Sequence, residues 1–76
     1  MIKTVHDKKY QALLVYLRTA RESQGLTLAK TAELIGETFQ IVSKIETGER
    51  KLSVHEYVQY CAALKIDPEV GLKILK

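Results

Sequence analysis

Two glycines, Gly36 and Gly48, bracket a stretch of chain that has room for one short helix. Thr38 stands at the N-cap position, where its hydroxyl can accept a hydrogen bond from a backbone N–H of the first turn. At roughly 100° per residue, Val42 and Ile45 fall on one side of this helix. The opposite side carries a row of hydrogen-bonding groups, Gln40, Ser43, Lys44 and Thr47. The stretch therefore predicts an amphipathic helix that packs on a core and presents a polar face outward.

Two helices are predicted before this stretch. The first runs from about Lys8 to Ser23, with Asp7 as its N-cap and Gly25 as its stop. The second runs from about Leu28 to Ile35 and repeats apolar or small residues at i, i+3, i+4 and i+7 after the cap Thr27. Gly36 ends it and begins the stretch described above.

Two further helices are predicted after it. The run from Ser53 to Glu56 has the form of a capping box. A fourth helix is then marked by Val54, Tyr57, Val58, Cys61 and Leu64. The run Asp67-Pro68-Glu69 supplies an N-cap, a first-turn proline and an acid, and so opens a fifth helix. No stretch has a convincing strand pattern, and the sequence predicts an all-α fold of five helices.

The length of 76 residues fits one domain, because two would each be too small to bury a sufficient core. Residues 1–21 hold five basic side chains against Asp7 alone, so we expect residues 1–7 to form a basic N-terminal arm. No stretch is long and apolar enough for a membrane helix, and Met1 to Val5 is too short for a signal peptide. With one cysteine there is no intrachain disulfide, and we expect a complete, cytoplasmic protein.

The second and third predicted helices are separated only by Gly36 and Glu37 before the Thr38 cap. Two short amphipathic helices joined by a tight, glycine-containing turn form the helix-turn-helix pattern, in which the second helix enters the DNA major groove. Many small helical bundles also contain short connections, so the spacing favours this pattern without establishing it.

The residues themselves resemble a family. From Leu17 to Asp67 the chain is similar to the Xre, or lambda Cro and repressor, type of helix-turn-helix DNA-binding domain. The resemblance is carried by L-R-x-x-R-E-x-x-G-L-T from Leu17 to Thr27, by Ala32 and Ile35-Gly36, by V-S-K-I-E-T-G-E-R from Val42 to Arg50, and by Ser53. It implies a lambda-repressor-like five-helix domain that binds double-stranded DNA and regulates transcription.

Carried over by residue, the resemblance implies that Thr38, Phe39 and Gln40 open the recognition helix. It also implies that Gln40, Ser43 and Lys44 face base edges, the same face that helical spacing exposes. Glutamine can pair with adenine and lysine with guanine acceptors. Phe39 is open to two interpretations: contact with a thymine methyl group, or packing against the core.

Phosphate contacts are expected elsewhere. The free N–H groups at the start of the second and third helices, at Thr27 and Thr38, suit anionic oxygens. Arg50 and Lys51 follow the recognition helix and are further candidates, although a solvated turn explains them as well. The resemblance also implies a structural ion pair between Arg21 and Glu46.

The chain departs from its relatives at three positions. Leu28 replaces a common Gln that can touch phosphate, Thr31 replaces a common Leu of the core, and Glu37 replaces an apolar turn residue. Residues 36–53 hold three acids and three bases and so carry no net charge. We therefore expect modest non-specific affinity for DNA, with binding that depends on specific contacts or on dimer avidity.

The apolar residues of the fifth helix, within residues 66–76, predict that the protein is a homodimer. They lie on more than one side, as the pairs Val70 with Ile74 and Leu72 with Leu75. One side can pack on the domain, and the other requires a partner. A symmetric dimer would place two recognition helices about 34 Å apart, one turn of DNA.

The favoured function is a repressor that binds an inverted-repeat operator as a homodimer, with the helix of residues 39–47 in the major groove. The alternative is a protein-interaction module, such as an antitoxin that binds a toxin, with or without DNA binding. Its docking residues would be Leu28, Leu34, Phe39 and Ile41. The sequence leaves open whether the chain is a phage repressor, an antitoxin or a restriction-modification controller.

Catalysis and metal binding are not expected. His6 and His55 lie far apart in the sequence, and Cys61 falls on an apolar stripe. No glycine-rich phosphate loop or nucleophile motif is present. The sequence therefore predicts a protein that is not an enzyme and needs no cofactor or metal.

Overall fold

The computed structural model describes residues 6–76, and most of the predicted N-terminal arm, residues 1–5, lies outside the described part. The described chain contains no strand and has five α-helices: α1 (Lys8–Ser23), α2 (Leu28–Ile35), α3 (Phe39–Thr47), α4 (Val54–Leu64) and α5 (Pro68–Leu75). The predicted all-α, five-helix fold is confirmed.

Each helix begins at a polar side chain that accepts a hydrogen bond from the backbone of its first turn. These N-caps are Asp7, Thr27, Thr38, Ser53 and Asp67. The predicted capping box is complete, because Glu56 N donates to Ser53 Oγ at 3.1 Å and Ser53 N donates to Glu56 Oε1 at 3.0 Å. All five helix starts thus follow from local sequence chemistry.

Three helices end in the left-handed conformation. Gly36 and Gly48 end α2 and α3 with φ of 73° and 86°, which glycine adopts without a steric cost. Lys65 ends α4 with φ of 57°, and it is the one non-glycine residue with positive φ among residues 6–76. The helix ending at Lys65 therefore carries backbone strain.

The core forms where α1 packs against α3, α4 and α5, and where α2 packs against α3 and α4. The buried apolar side chains are Tyr10, Leu13, Leu14, Leu17, Ala32, Val42, Ile45, Tyr57, Tyr60, Cys61 and Leu64. Thr31 is also fully buried, and its hydroxyl donates to the Thr27 carbonyl at 2.9 Å. Because that hydroxyl has a partner, the core tolerates a polar residue there.

The buried stripe of α4 differs from the apolar residues that mark this helix in the sequence. Tyr57, Cys61 and Leu64 are buried as expected, but Val54 is 83% exposed and Val58 is 47% exposed. Tyr60, which is absent from the predicted stripe, is fully buried instead. A tyrosine at this position can be buried because its hydroxyl finds a partner inside the protein.

The buried face of α5 is formed by Gly71, with Ile74 half-buried against the core. Lacking a side chain, Gly71 allows the helix to lie close to Leu13 of α1 and Tyr57 of α4. Lys9 Nζ on α1 also donates to the carbonyl of Lys76. The fifth helix is thus held against the first through its smallest residue.

Candidate nucleic-acid interface

The polar face of α3 lies on the protein surface. Val42 and Ile45, at 0% and 1% exposed, fix the helix to the core from its opposite side. Gln40, Lys44 and Thr47 are exposed, and Ser43 is half-buried. The exposed side chains offer an amide, an ammonium and a hydroxyl, groups that can donate to or accept from base edges.

Two apolar residues flank this face. Phe39, in the first turn of α3, is 50% exposed and is not part of the buried core. Ile41, on the other flank, is half-buried and packs against the core. Of the two interpretations of Phe39, core packing does not describe its position, whereas an exposed ring beside the polar face is available to contact a ligand.

A buried polar network holds the C-terminal turn of α3. Arg21 of α1 donates from Nε to Glu46 Oε2 at 2.7 Å and from Nη2 to Glu46 Oε1 at 3.0 Å, and the two side chains are 10% and 7% exposed. Its Nη1 donates to the Leu26 carbonyl at 2.7 Å, just before α2. Tyr60 of α4 donates its hydroxyl to Glu46 Oε2 at 2.5 Å. One carboxylate thus connects α3 to α1 and α4.

The buried network raises the pKa values of Arg21 and Tyr60. The hydrogen bond to Glu46 raises the pKa of Arg21 above its usual value. Burial, with a further contribution from Glu46, raises the pKa of the Tyr60 hydroxyl well above its usual range. Arg21 therefore stays cationic and Tyr60 keeps the proton that it donates.

The starts of α2 and α3 carry exposed threonines. Thr27 Oγ1 accepts from Lys30 N at 3.0 Å, and Thr38 Oγ1 accepts from Ile41 N at 3.3 Å. Each hydroxyl still has its own hydrogen to donate, and the remaining first-turn N–H groups point out of the helix. Both helix starts are therefore able to donate to an anionic oxygen.

Three basic side chains, Lys44, Arg50 and Lys51, line one open depression beside the end of α3. Lys51 is exposed. The guanidinium of Arg50 instead turns toward α4, where Nη2 donates to Glu56 Oε2 at 2.7 Å. Its Nη1 is buried and has no hydrogen-bond partner. Arg50 is therefore less free than Lys51 to reach a phosphate.

The hydrogen bond between Arg50 and Glu56 also shifts the pKa of each group. The hydrogen bond from Arg50, helped by the Ser53 backbone, lowers the pKa of Glu56 to about 2. The same hydrogen bond raises the pKa of Arg50. Glu56 therefore stays ionised at neutral pH, and it closes the loop between α3 and α4 with one oxygen on Arg50 and the other on the capping box.

The four candidate dimer residues of α5 do not share one environment. Val70, Leu72 and Leu75 are 43%, 46% and 38% exposed. Ile74 packs against the core instead. Leu72, Leu75 and Val54 line one cavity of about 320 Å³ between α1, α4 and α5. The exposed apolar surface therefore continues from α5 onto the start of α4.

Sequence reasoning missed the roles of two residues at this site, Tyr60 and Glu56. Glu56 is predicted as a member of the capping box, but not as the partner of Arg50. Tyr60 lies four residues after Glu56 and three after Tyr57, at helical spacing from the buried Leu64. That spacing is the available signal for its burial, whereas its bond to Glu46 depends on how α3 and α4 pack.

Residues 6–76 hold neither a metal-binding cluster nor a membrane helix. In that range no group of three or more His, Cys, Asp or Glu side chains is placed to hold a metal ion. No helix there has the length and apolarity to span a bilayer.

Comparison with known proteins identifies the family. A helix-turn-helix family model matches residues 17–70, which include all of α2, α3 and α4. The chain belongs to the Xre-type helix-turn-helix family. An XRE-family like protein from Pseudomonas syringae pv. tomato str. DC3000 is similar in structure, with 38% sequence identity and a TM-score of 0.84 over 92% of this chain and 85% of that one.

A second solved structure, the clp gene regulator ClgR from C. glutamicum, is 26% identical, with a TM-score of 0.79 over 91% of this chain and 90% of that one. No curated protein matches the chain significantly. Membership of the Xre-type family supports DNA as the ligand and transcription regulation as the general role. The resemblance found in the sequence is confirmed.

Proposed function

We propose that this Xre-type protein is a transcriptional repressor that binds an inverted-repeat operator as a homodimer, with α3 in the major groove. The observation that carries the proposal is the exposed polar face of α3, anchored from behind by the buried Val42 and Ile45. A helix held in this way can present the same side chains to each half-site. Gln40 and Lys44 are the proposed readers of base edges.

Lys51 and the starts of α2 and α3 are the proposed phosphate contacts, because each carries exposed donors. Residues 36–53 carry no net charge, so this surface attracts DNA only weakly in general. Two linked binding sites raise affinity without stronger single contacts. A dimer is therefore the arrangement that best supports specific binding.

The dimer is proposed to form through the exposed apolar residues of α5 and the start of α4. Leu72, Leu75 and Val54 line one cavity and are partly exposed, an arrangement that favours burial against a second copy. Sedimentation at micromolar concentration should give a dimer for the native chain and a monomer for Leu72→Glu. A native chain that sediments only as a monomer would contradict this part of the proposal.

The DNA-binding proposal is tested by selecting bound sequences from a random pool of duplexes. We expect an inverted repeat with half-site centres about one helical turn apart, since a two-fold dimer imposes its symmetry on the site. Enrichment of a single, asymmetric half-site would exclude the symmetric dimer. A pool without enrichment would exclude sequence-specific binding.

A second candidate function is a protein-interaction module such as an antitoxin. It is favoured by Phe39 and Leu34, which are 50% and 49% exposed. The other two proposed docking residues, Leu28 and Ile41, are half-buried against the core and offer less surface. Co-expression with the product of the adjacent reading frame, followed by size-exclusion chromatography, tests this function directly.

A further inference from the structure

Tyr60 is a fully buried tyrosine on α4 that makes no contribution to the surface of the protein. We propose that Tyr60 is a positioning residue: its hydroxyl, bonded to Glu46, fixes the orientation of α3 and thereby the sequence discrimination of Gln40 and Lys44. This inference rests on the proposed function and adds a residue that neither touches DNA nor belongs to the Xre-type motif quoted above.

Glu46 is held from two helices at once. Arg21 uses two nitrogens on the two oxygens of Glu46, which ties α3 to α1. Val42 and Ile45 hold the middle of α3 against the core, while the Arg21 pair restrains its last turn from the α1 side alone. Tyr60 reaches Glu46 Oε2 from a third helix, at 2.5 Å. Restraint from α1 and α4 together fixes the end of α3 from two directions.

The bond between Tyr60 and Glu46 is shielded from solvent. Tyr60 is 0% exposed, and the Glu46 side chain is 7% exposed. Water therefore does not exchange freely with this hydrogen bond, and such bonds are stronger in a desolvated site. Phenylalanine at position 60 would preserve the ring and its packing while removing only the donor to Glu46.

The end of α3 that Glu46 anchors also carries part of the reading face. Glu46 lies in the same turn of α3 as Lys44 and Thr47, which project to the outside. Hydrogen bonds to base edges weaken steeply as their distances and angles depart from the optimum. A small change in the tilt of α3 should therefore reduce discrimination between bases before it reduces phosphate contacts, which depend less on angle.

The experiment compares Tyr60→Phe with Tyr57→Phe. Tyr57 is also buried on α4, but its hydroxyl donates to the Pro68 carbonyl at the start of α5, away from α3. Both variants remove one hydroxyl from a buried tyrosine ring, and only Tyr60→Phe removes a contact with α3. Affinities for the selected operator and for a duplex with scrambled half-sites are measured for each protein at one salt concentration.

For Tyr60→Phe we expect the ratio of the two affinities to fall by about three- to tenfold, a part of what one good base contact supplies. Affinity for the scrambled duplex should stay within twofold. Tyr57→Phe should sediment as a dimer, as expected for the native chain, and should preserve the ratio. Amide hydrogen exchange should become faster at the end of α3 in Tyr60→Phe and at the start of α5 in Tyr57→Phe.

Three outcomes would overturn the inference. An unchanged ratio for Tyr60→Phe, in a native protein that discriminates well, would refute the positioning role alone. Equal reductions in both variants would reassign the effect to general loss of stability. A native protein that does not distinguish the two duplexes would remove the proposed function together with this inference, and the exchange measurements would then report only a structural anchor.

Discussion

Gly71 of α5 lies directly against Tyr57 of α4. A Cβ at position 71 would overlap the Tyr57 hydroxyl and would lie 2.8 Å from Leu13 Cδ1 and 3.2 Å from Tyr57 Cζ. Neither neighbour moves freely, since Leu13 and Tyr57 are 3% and 6% exposed. The Tyr57 hydroxyl also donates to the Pro68 carbonyl. The close approach of α5 to the core thus depends on the absence of a side chain at position 71.

Gly71→Ala should destabilise the protein by about 1–3 kcal/mol, the usual cost of overpacking a well-filled core. Helix propensity alone predicts the opposite, a gain of about 1 kcal/mol. Urea unfolding decides between them. In a Tyr57→Phe background Gly71→Ala should destabilise the protein less, because the oxygen that overlaps the new Cβ is gone. Residues 57 and 71 are in contact, so their effects on stability should not be additive. A higher unfolding midpoint for Gly71→Ala would show that α5 is not packed this closely.

Lys65 ends α4 in the left-handed conformation, with φ of 57° and ψ of 41°. Lys65→Gly should stabilise the protein by about 0.5–1 kcal/mol, since glycine adopts this conformation without the clash of a Cβ. The side chain is exposed, so its removal leaves the packing of the core intact.

Lys73→Gly is the matched control for Lys65→Gly, because Lys73 is an exposed lysine within α5. There glycine should cost about 1 kcal/mol. Both are measured by chemical denaturation. Equal effects of the two substitutions would contradict the assigned strain at Lys65.

The features predictable from the sequence are the local ones. Thr38 and Ser53 act as N-caps, and Gly36 and Gly48 as C-caps, because each depends on a few neighbouring residues. The short turn of Gly36 and Glu37 before the Thr38 cap follows from the same signals. The motif from Val42 to Arg50 indicates the family, which the family model confirms.

The features missed are those that depend on packing between helices. Val54 and Val58 have the composition of core residues, yet they are exposed because α4 turns Tyr57 and Tyr60 inward. Ile74 faces the core because Gly71 brings α5 close to α1. The local pattern does not show which apolar residues of α4 and α5 face the core, since the buried and the exposed ones both have helical spacing.

The pair of Arg50 and Glu56 should make the stability of the protein fall at acidic pH. Because the folded-state pKa of Glu56 is lowered to about 2 from 4.5, its ionised form stabilises the folded protein above pH 4.5. This contribution disappears as the pH falls from about 4.5 toward 2. Glu56→Gln keeps a capping-box side chain but removes the charge.

Unfolding of the native chain and Glu56→Gln should therefore be compared at pH 7 and pH 2.5. At pH 7 the native chain should be more stable than Glu56→Gln. At pH 2.5 the difference in stability between the two proteins should be smaller. A difference that is the same at both pH values would mean that the carboxylate of Glu56 has an ordinary pKa.

The reading face and the phosphate contacts should respond differently to mutation. Gln40→Ala and Lys44→Ala should each cost about 1–3 kcal/mol of discrimination between the operator and altered half-sites. Lys51→Ala should weaken binding to all sequences alike and reduce the slope of log affinity against log salt by about one for each phosphate that the variant no longer neutralises. Arg50→Ala should change the salt slope less than Lys51→Ala does, because the Arg50 guanidinium is bonded to Glu56, and it should lower stability by removing that partner. Gel shifts over a range of salt concentrations, with operator and altered duplexes, separate these effects. If Gln40→Ala and Lys44→Ala together preserve the selectivity of the native chain, the outer face of α3 is not the surface that reads DNA.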